Sequence, residues 1–105
     1  MSERVVALST VGTTEDAERI ARALVERRLA ACVNVVPNVV SVYHWKGEVS
    51  RDQELLLVIK TRRERLDALR EALVGLHPYE LPELVALSVE AGHEPYLAWV
   101  DASVS

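Results

Sequence analysis

A pair of long, valine-rich segments that meet at a tight turn constrains this fold more than any other feature. Residues 31–45 contain six valines, Lys46-Gly47 supplies a turn, and residues 48–60 return with a run of five apolar side chains. Because β-branched residues favour strands, the two segments predict one long hairpin. Proline cannot donate to a strand ladder, so we expect a bend or bulge at Pro37.

Shorter elements flank the hairpin on both sides. Apolar residues at helical spacing predict helices, and β-rich runs predict two more strands. The expected elements are a strand over 5–11, a helix over 14–28, a helix capped by Thr61 that ends near Leu76, a strand over 84–89 and a last helix with Pro95 in its first turn. The order β-α-β-β-α-β predicts an α+β fold for the single domain 1–105. It would be a ferredoxin-like sandwich with a four-stranded antiparallel sheet, both helices on one face and an extra C-terminal helix.

The length of the hairpin predicts an oligomer. A strand of about 15 residues is about 50 Å long, whereas a domain of about 100 residues has a diameter of only about 34 Å. The overhang would expose Val40, Val42, Tyr43 and Trp45, and the helices leave one face of the sheet uncovered. The uncovered face must pack against another copy or against the terminal helix. The alternative to an overhang is that the strand bends sharply at Pro37 and the hairpin folds back. This geometry does not choose between two and three subunits.

Composition excludes several classes of protein. Half of the 105 residues are apolar and the formal net charge is −4, which is typical of neither a disordered chain nor a nucleic-acid binder. No apolar run approaches the roughly 18 residues of a membrane helix. The first residues lack the pattern of a signal peptide. Because the chain has the single cysteine Cys32, we expect a reducing, cytoplasmic setting and an inert core thiol.

Five segments of the sequence resemble the CutA divalent-cation tolerance family. They follow one another in the family's order and spacing over nearly the whole chain: residues 29–34 with Pro37, Ser41–Glu48, Lys60-Thr61, His77–Glu83 and Tyr96–Trp99. The resemblance implies a homotrimer with the architecture of the PII signalling proteins. It also implies a role in the response to metal ions, copper especially, and no catalytic activity. The alternative is a PII-like signalling protein that binds a small anionic ligand between subunits and acts on an unidentified protein partner.

The candidate metal ligands are His77, Glu80 and Glu83. Imidazole suits Cu²⁺ and Zn²⁺, and neither ion is expected to be required for folding. Some relatives carry a Cys on the first strand and an additional His before the His-Pro-Tyr segment, where this chain has Ser9 and Leu76. That departure argues against a soft copper site of that kind. The alternative is a loop in which His77 only bonds to the backbone.

Tyr43, Trp45, Lys60 and Tyr79 form a second candidate set. Aromatic side chains near the tip of a long hairpin could line a ligand cleft between subunits. The alternative is simple packing at an interface, where Tyr and Trp are enriched.

Basic residues crowd the expected start of the second helix, where Thr61 and Glu64 have the spacing of a capping box. Cations oppose the helix dipole at this end, so they could instead hold an anion. The alternative is a solvated face that pairs with Glu64 and Asp67. The cations in question are Lys60, Arg62, Arg63 and Arg65. We expect no enzyme, because the sequence lacks a nucleophile elbow and a glycine-rich phosphate loop.

Overall fold

The computed structural model describes residues 3–105, and their strands and helices follow the predicted order. Met1 and Ser2, which entered the expectation about a signal peptide, lie outside the described residues. Within residues 3–105 the elements are β1 (Arg4–Val11), α1 (Thr14–Glu26), β2 (Cys32–Trp45), β3 (Glu48–Arg62), a 3-10 turn (Arg63–Arg65), α2 (Leu66–Leu76), β4 (Val85–Ser88) and α3 (Glu94–Ser103). The sheet has the order β2-β3-β1-β4 and every neighbouring pair is antiparallel. The predicted α+β class and four-stranded sheet are therefore confirmed.

The core lies between one face of the sheet and the helices α1 and α2. Alternate side chains of β1 are buried and the others are half-buried, as expected for a strand with one covered face. Ser9 is fully buried on this side, and its hydroxyl has no hydrogen-bond partner within residues 3–105. The largest apolar side chains that are fully buried in the core are Ile20, Leu24, Leu57, Ile59, Leu69 and Leu73.

Both ends of α1 are capped. The Thr13 side chain accepts a hydrogen bond from the Asp16 amide at 3.1 Å, which confirms the predicted threonine cap. At the other end the amides of Arg28 and Leu29 donate to the carbonyls of Val25 and Leu24. These two bonds form a Schellman motif, with Arg28 in the left-handed conformation at φ 58°. The motif ends the helix two residues before the predicted bound.

The predicted capping box is wrong. Thr61 belongs to β3, is fully buried, and its hydroxyl donates to the carbonyl oxygen of Leu29 at 2.7 Å. Glu64 bonds instead to Arg62 at 2.9 Å. Pairing of β3 with β1 continues to Arg4 and Arg62, and it draws Thr61 into the sheet. The pairing of β3 with β1 therefore outweighs the local preference of Thr61 for a helix cap.

The hairpin divides into two segments. The packed segment comprises residues 32–36 and 55–62, which lie in the four-stranded sheet, and the overhanging segment comprises residues 39–54. Between them the register shifts, because Pro37 and Asn38 stand opposite Leu55 alone. This is the predicted bulge, with Asn38 at φ 61°. The molecule is 44 Å long and 25 Å wide as a result.

The face of the sheet opposite α1 and α2 is only partly covered. At one end α3 lies over it, and the Asp101 carboxylate accepts hydrogen bonds from Arg4 at 2.9 and 2.6 Å and from Arg62 at 2.6 Å. The rest, which we call the open face, comprises Val6, Leu8, Val36, Leu56, Val58, Val85 and Leu87. Val36, Val85 and Leu87 are 41%, 50% and 58% exposed. One protomer thus leaves an apolar surface without cover.

Candidate functional site

A cleft of about 990 Å³ lies where the overhanging segment leaves the sheet. One wall is the hairpin after the bulge, and the other is the loop that joins α2 to β4. The end of β1, at Thr10 and Gly12, forms its base. Its polar and aromatic lining comprises Thr10, Ser41, Tyr43, His44, Trp45, Asp52, Gln53, Glu54, Tyr79, Glu80 and Glu83.

Tyr79 joins the loop to the hairpin. Its hydroxyl donates to Glu54 Oε2 at 2.6 Å. The ring can reach this position because residue 12 is glycine, where a Cβ would come within 3.2 Å of the Tyr79 hydroxyl oxygen. Burial and the bond to Glu54 raise the pKa of Tyr79 well above its usual range.

Glu54 is a buried carboxylate without a cation. It is only 7% exposed, although carboxylates are seldom buried unless they are paired. Its one hydrogen bond comes from Tyr79, and no Lys, Arg or His in residues 3–105 forms an ion pair with it. The second carboxylate oxygen, Oε1, has no hydrogen-bond partner within the same residues.

A second tyrosine and a tryptophan complete the wall on the hairpin side. The Tyr43 hydroxyl donates to Asp52, and this bond raises the pKa of Tyr43. The Trp45 ring has the ammonium group of Lys46 at 5.7 Å from its centroid. The structure therefore brings together three of the four residues of the predicted aromatic set.

Lys60, the fourth, lies elsewhere. It pairs with Cys32 near the opposite end of β3, ten residues from the partner of Tyr43 and therefore about 33 Å along the strand. There the Lys60 ammonium bonds to Asn34 and lies 4.0 Å from Cys32 Sγ. Cys32 is half-buried on an edge strand, so its prediction as a core cysteine is wrong.

The cleft is acidic. Four carboxylates line it, from Asp52, Glu54, Glu80 and Glu83, and its lining within residues 3–105 includes no lysine or arginine. Clefts with low-dielectric walls concentrate ions of the opposite charge. The charges that line this cleft in one protomer therefore favour cations over anions.

His77 lies behind the loop, and both of its ring nitrogens are engaged. The Tyr79 amide donates to Nδ1 at 3.1 Å, so the proton of the neutral ring is on Nε2, which donates to the Thr10 carbonyl oxygen at 2.8 Å. The ring is 7% exposed. A metal would have to displace one of these bonds, so His77 as it stands does not fit as a ligand.

The donors that remain do not fit a resident metal within one protomer. In the described part of the chain no three His, Cys, Asp or Glu side chains are grouped so that they could hold a metal ion. Glu80 and Glu83 are exposed on the loop, and Glu83 has Thr10 Oγ1 as a neighbour at 3.5 Å.

The predicted anion site is already filled by protein groups. Arg62 contacts Asp101, Glu64 and Glu3 at 2.6, 2.9 and 3.6 Å. Arg63 donates to Ser88 at 2.8 Å and Arg65 to the Val104 carbonyl at 2.7 Å. These arginines bind strand and helix ends of this chain.

Sequence reasoning missed Asp52, Glu54 and Gly12. A signal for Glu54 was present, because an acidic residue directly before five apolar strand residues is unusual unless it has a special environment. Gly12 carried no such signal, since a close approach by a side chain as distant in sequence as Tyr79 cannot be read from the local pattern.

Comparisons with known proteins agree with this fold. Residues 5–103 match the family model of the CutA1 divalent ion tolerance protein. The chain is 53% identical over 95 residues to the divalent-cation tolerance protein CutA of Thermus thermophilus, which covers 90% of this chain and 92% of that protein. It is 54% identical over 84 residues to a CutA homolog of Xenopus laevis, of which it spans 56%.

A solved structure of the Cut A1 protein from Thermus thermophilus superposes with a TM-score of 0.95 at 49% identity, and the match covers 97% of this chain and 99% of that one. Across residues 3–105 we find no helix with the length and apolar character that a membrane span requires. Sequence, family model and fold agree, and the chain belongs to the CutA1 divalent ion tolerance family.

Proposed function

We propose that this chain is a subunit of a homotrimer that serves divalent-cation tolerance by binding cations at its acidic clefts. The observation that carries the proposal is the lining of the cleft. Among the described residues this lining contains four carboxylates and no lysine or arginine. The names of the relatives, which refer to divalent-cation tolerance, support the same direction. The proposed setting is reducing and cytoplasmic, and the proposal includes no catalytic step.

The open face supports assembly into a trimer. Val85 on the open face and Val74 on α2 are both 50% exposed. If the protein were a monomer, a lysine should therefore have similar effects at the two positions. We expect light scattering to give about three times the 11.7 kDa chain mass for the native protein and for Val74→Lys. Val85→Lys should give a smaller particle, because a buried lysine would disrupt the interface. A native mass of one chain at micromolar concentration would refute the assembly.

The cation site would be completed between subunits, because no protomer supplies three converging donors within its described residues. Glu80 and Glu83 are the proposed ligands from the loop. Oxygen donors favour Mn²⁺ or Mg²⁺, whereas Cu²⁺ and Zn²⁺ favour imidazole. In this arrangement His77 holds the loop, and it becomes a ligand only if it releases Tyr79 or Thr10.

Calorimetry with Cu²⁺, Zn²⁺ and Mn²⁺ tests the site. We expect Glu80→Gln and Glu83→Gln each to weaken binding, and Glu90→Gln, an exposed acid outside the cleft, to leave it unchanged. His77→Gln should lower stability and leave affinity intact; a loss of Cu²⁺ binding in that variant would restore His77 as a ligand. If none of the three ions gives a heat of binding, the proposed cation binding is wrong.

The PII-like alternative, a small anionic ligand between subunits, has less support. The cleft that holds the aromatic residues would repel an anion, and Arg62 is paired with Asp101, Glu64 and Glu3. Titration with ATP should therefore give no binding. Saturable ATP binding that is lost in Arg62→Ala would reverse this preference.

A further inference from the structure

The overhanging segment has two chemically different faces. Residues that pair across an antiparallel ladder share a face, and successive residues of one strand lie on opposite faces. Tyr43, which bonds to Asp52, therefore lies on the same face as Glu54. The opposite face, which we call the valine face, includes Val40, Val42, Val49 and Arg51. Each of its three valines is at least half exposed in one protomer.

The valine face and the open face point in opposite directions. Along β3, Glu54 alternates with Leu55 and therefore shares its side of the strand with Leu56, which belongs to the open face. Arg51 shares its side with Leu55 and Leu57, which face α1 and α2. One chain therefore has two apolar surfaces on opposite sides of the same hairpin, and neither can cover the other within that chain.

A contact between two copies can be of two kinds, and only one of them covers both surfaces. If the open faces of two copies met, the valine faces would stay in water. If the valine face of one copy meets the open face of the next, a closed ring covers both surfaces in every copy. We propose that the valine face of each subunit packs on the open face of its neighbour.

The dimensions and charges of the two surfaces support this pairing. Residues 39–45 span about 23 Å, and the molecule is 25 and 23 Å across its short axes, so the overhang can cross the open face. Arg51 forms no ion pair within residues 3–105, whereas the open face continues along β3 to Glu54 in the acidic cleft. A cation on one surface thus matches carboxylates beside the other. One arginine against four carboxylates leaves the cleft acidic.

Light scattering of lysine variants tests which surfaces meet. Val85→Lys alters the open face and Val42→Lys alters the valine face, and each should reduce the particle from three chains to one, because both surfaces take part in every contact of the ring. Val74→Lys on α2, outside both surfaces, should keep the native mass. Circular dichroism checks that each variant is folded, and Val49→Lys replaces Val42→Lys if that chain does not fold. A native mass for a folded valine-face variant would overturn the inference.

An equimolar mixture of the two variants separates the two kinds of contact. A Val42→Lys chain keeps an intact open face, and a Val85→Lys chain keeps an intact valine face. Their mixture should therefore contain particles of two chains, since one intact contact forms and the ring cannot close. Contacts between like surfaces predict no such particle. A mixture that shows only the masses of the separate variants would contradict the proposed pairing.

The role of Arg51 is tested by charge reversal. Arg51→Glu should raise the dissociation constant of the assembly by about tenfold or more, because it places a negative charge beside the neighbour's carboxylates. Arg22→Glu reverses an exposed arginine on α1, outside both surfaces, and should leave that constant unchanged. Sedimentation over a dilution series measures both, and equal effects would refute the charge pairing.

The inference rests on the proposed homotrimer, and the two fail in different ways. A native protein with the mass of one chain refutes the assembly itself. A native mass of three chains that persists in Val42→Lys refutes only the pairing of the valine face with the open face. The metal titrations of Glu80→Gln and Glu83→Gln are separate measurements, so cation binding can fail independently of both.

Discussion

The packed and overhanging segments belong to the same two strands, yet they differ in nearly every physical respect. In the packed segment Leu57 and Ile59 are fully buried beneath α1 and α2. In the overhanging segment Val42 and Val49 are 65% and 69% exposed. Both segments are valine- or leucine-rich, so composition does not explain the difference. The packed segment therefore carries the stability of one protomer, and the exposed valines of the overhang, like the open face, support the proposed assembly.

The largest effect should come from truncating the packed segment. Leu57→Ala removes a fully buried side chain and should cost about 2–5 kcal/mol of unfolding free energy. Val42→Ala truncates a side chain that is 65% exposed in one protomer, so it should cost less than Leu57→Ala. Urea denaturation at one fixed protein concentration measures both. Equal losses would show that the overhang is as well packed as the core.

A smaller effect is expected at the junction of the two segments. Tyr79→Phe deprives the buried Glu54 of its one hydrogen bond and should cost about 1.5–3 kcal/mol, as for bonds to charged groups. Tyr96→Phe is the matched control, since Tyr96 is 41% exposed and its hydroxyl has no hydrogen bond within the described chain. Similar losses in both variants would deny that this bond fixes the loop to the hairpin.

Acid should destabilise the contact between α3 and the sheet before it affects the overhanging segment. Hydrogen bonds from Arg4 and Arg62 lower the pKa of Asp101 from 3.8 to about 2. A lowered pKa contributes stability above about pH 4 that is lost as the pH falls toward 2. The emission of Trp99 on α3 should therefore change in this window in a Trp45→Phe background.

Asp101→Asn is the control for that titration, because it removes the carboxylate at every pH. We expect its stability to depend less on pH between 4 and 2 than that of the native chain. An unchanged acid dependence would mean that other carboxylates are responsible.

The smallest effects concern two left-handed residues, one near each segment. Arg28 closes α1 at φ 58° and Lys46 opens the hairpin turn at φ 50°. Glycine adopts this conformation freely, so Arg28→Gly should stabilise by up to about 1 kcal/mol. Lys46→Asn creates the Asn-Gly pair that such turns prefer and should gain a few tenths of a kcal/mol. Thermal unfolding resolves both, and a loss at either position would show that its side chain has a contact worth more than the strain.

The fold was largely predictable because its signals are local and mutually consistent. The Thr13 cap, the bulge at Pro37 and the Lys46-Gly47 turn each follow from one or two residues. The predicted helix cap at Thr61 was wrong because the local sequence pattern fits a helix start as well as a strand end. Thr61 belongs to a strand because β3 pairs with β1, and the residues of β1 are more than fifty positions away in the sequence.

The site was less predictable because it depends on distances between elements. Tyr43, Trp45 and Tyr79 were found from their residue type alone. Lys60 lies far from them within one protomer, because the hairpin register places it opposite Cys32. His77 was the natural metal ligand by chemistry, but its bonds to Thr10 and Tyr79 depend on a loop path that only the folded chain shows.

The contact of Arg4 and Arg62 with Asp101 has a consequence for the nascent chain. The two arginines are direct partners in the β1–β3 ladder, and like charges directly opposite each other repel. Their counter-charge comes 39 residues after Arg62. Glu64 and Glu3 already contact Arg62, so the ladder can form early on the ribosome, and the carboxylate that joins both arginines is added only when residue 101 emerges.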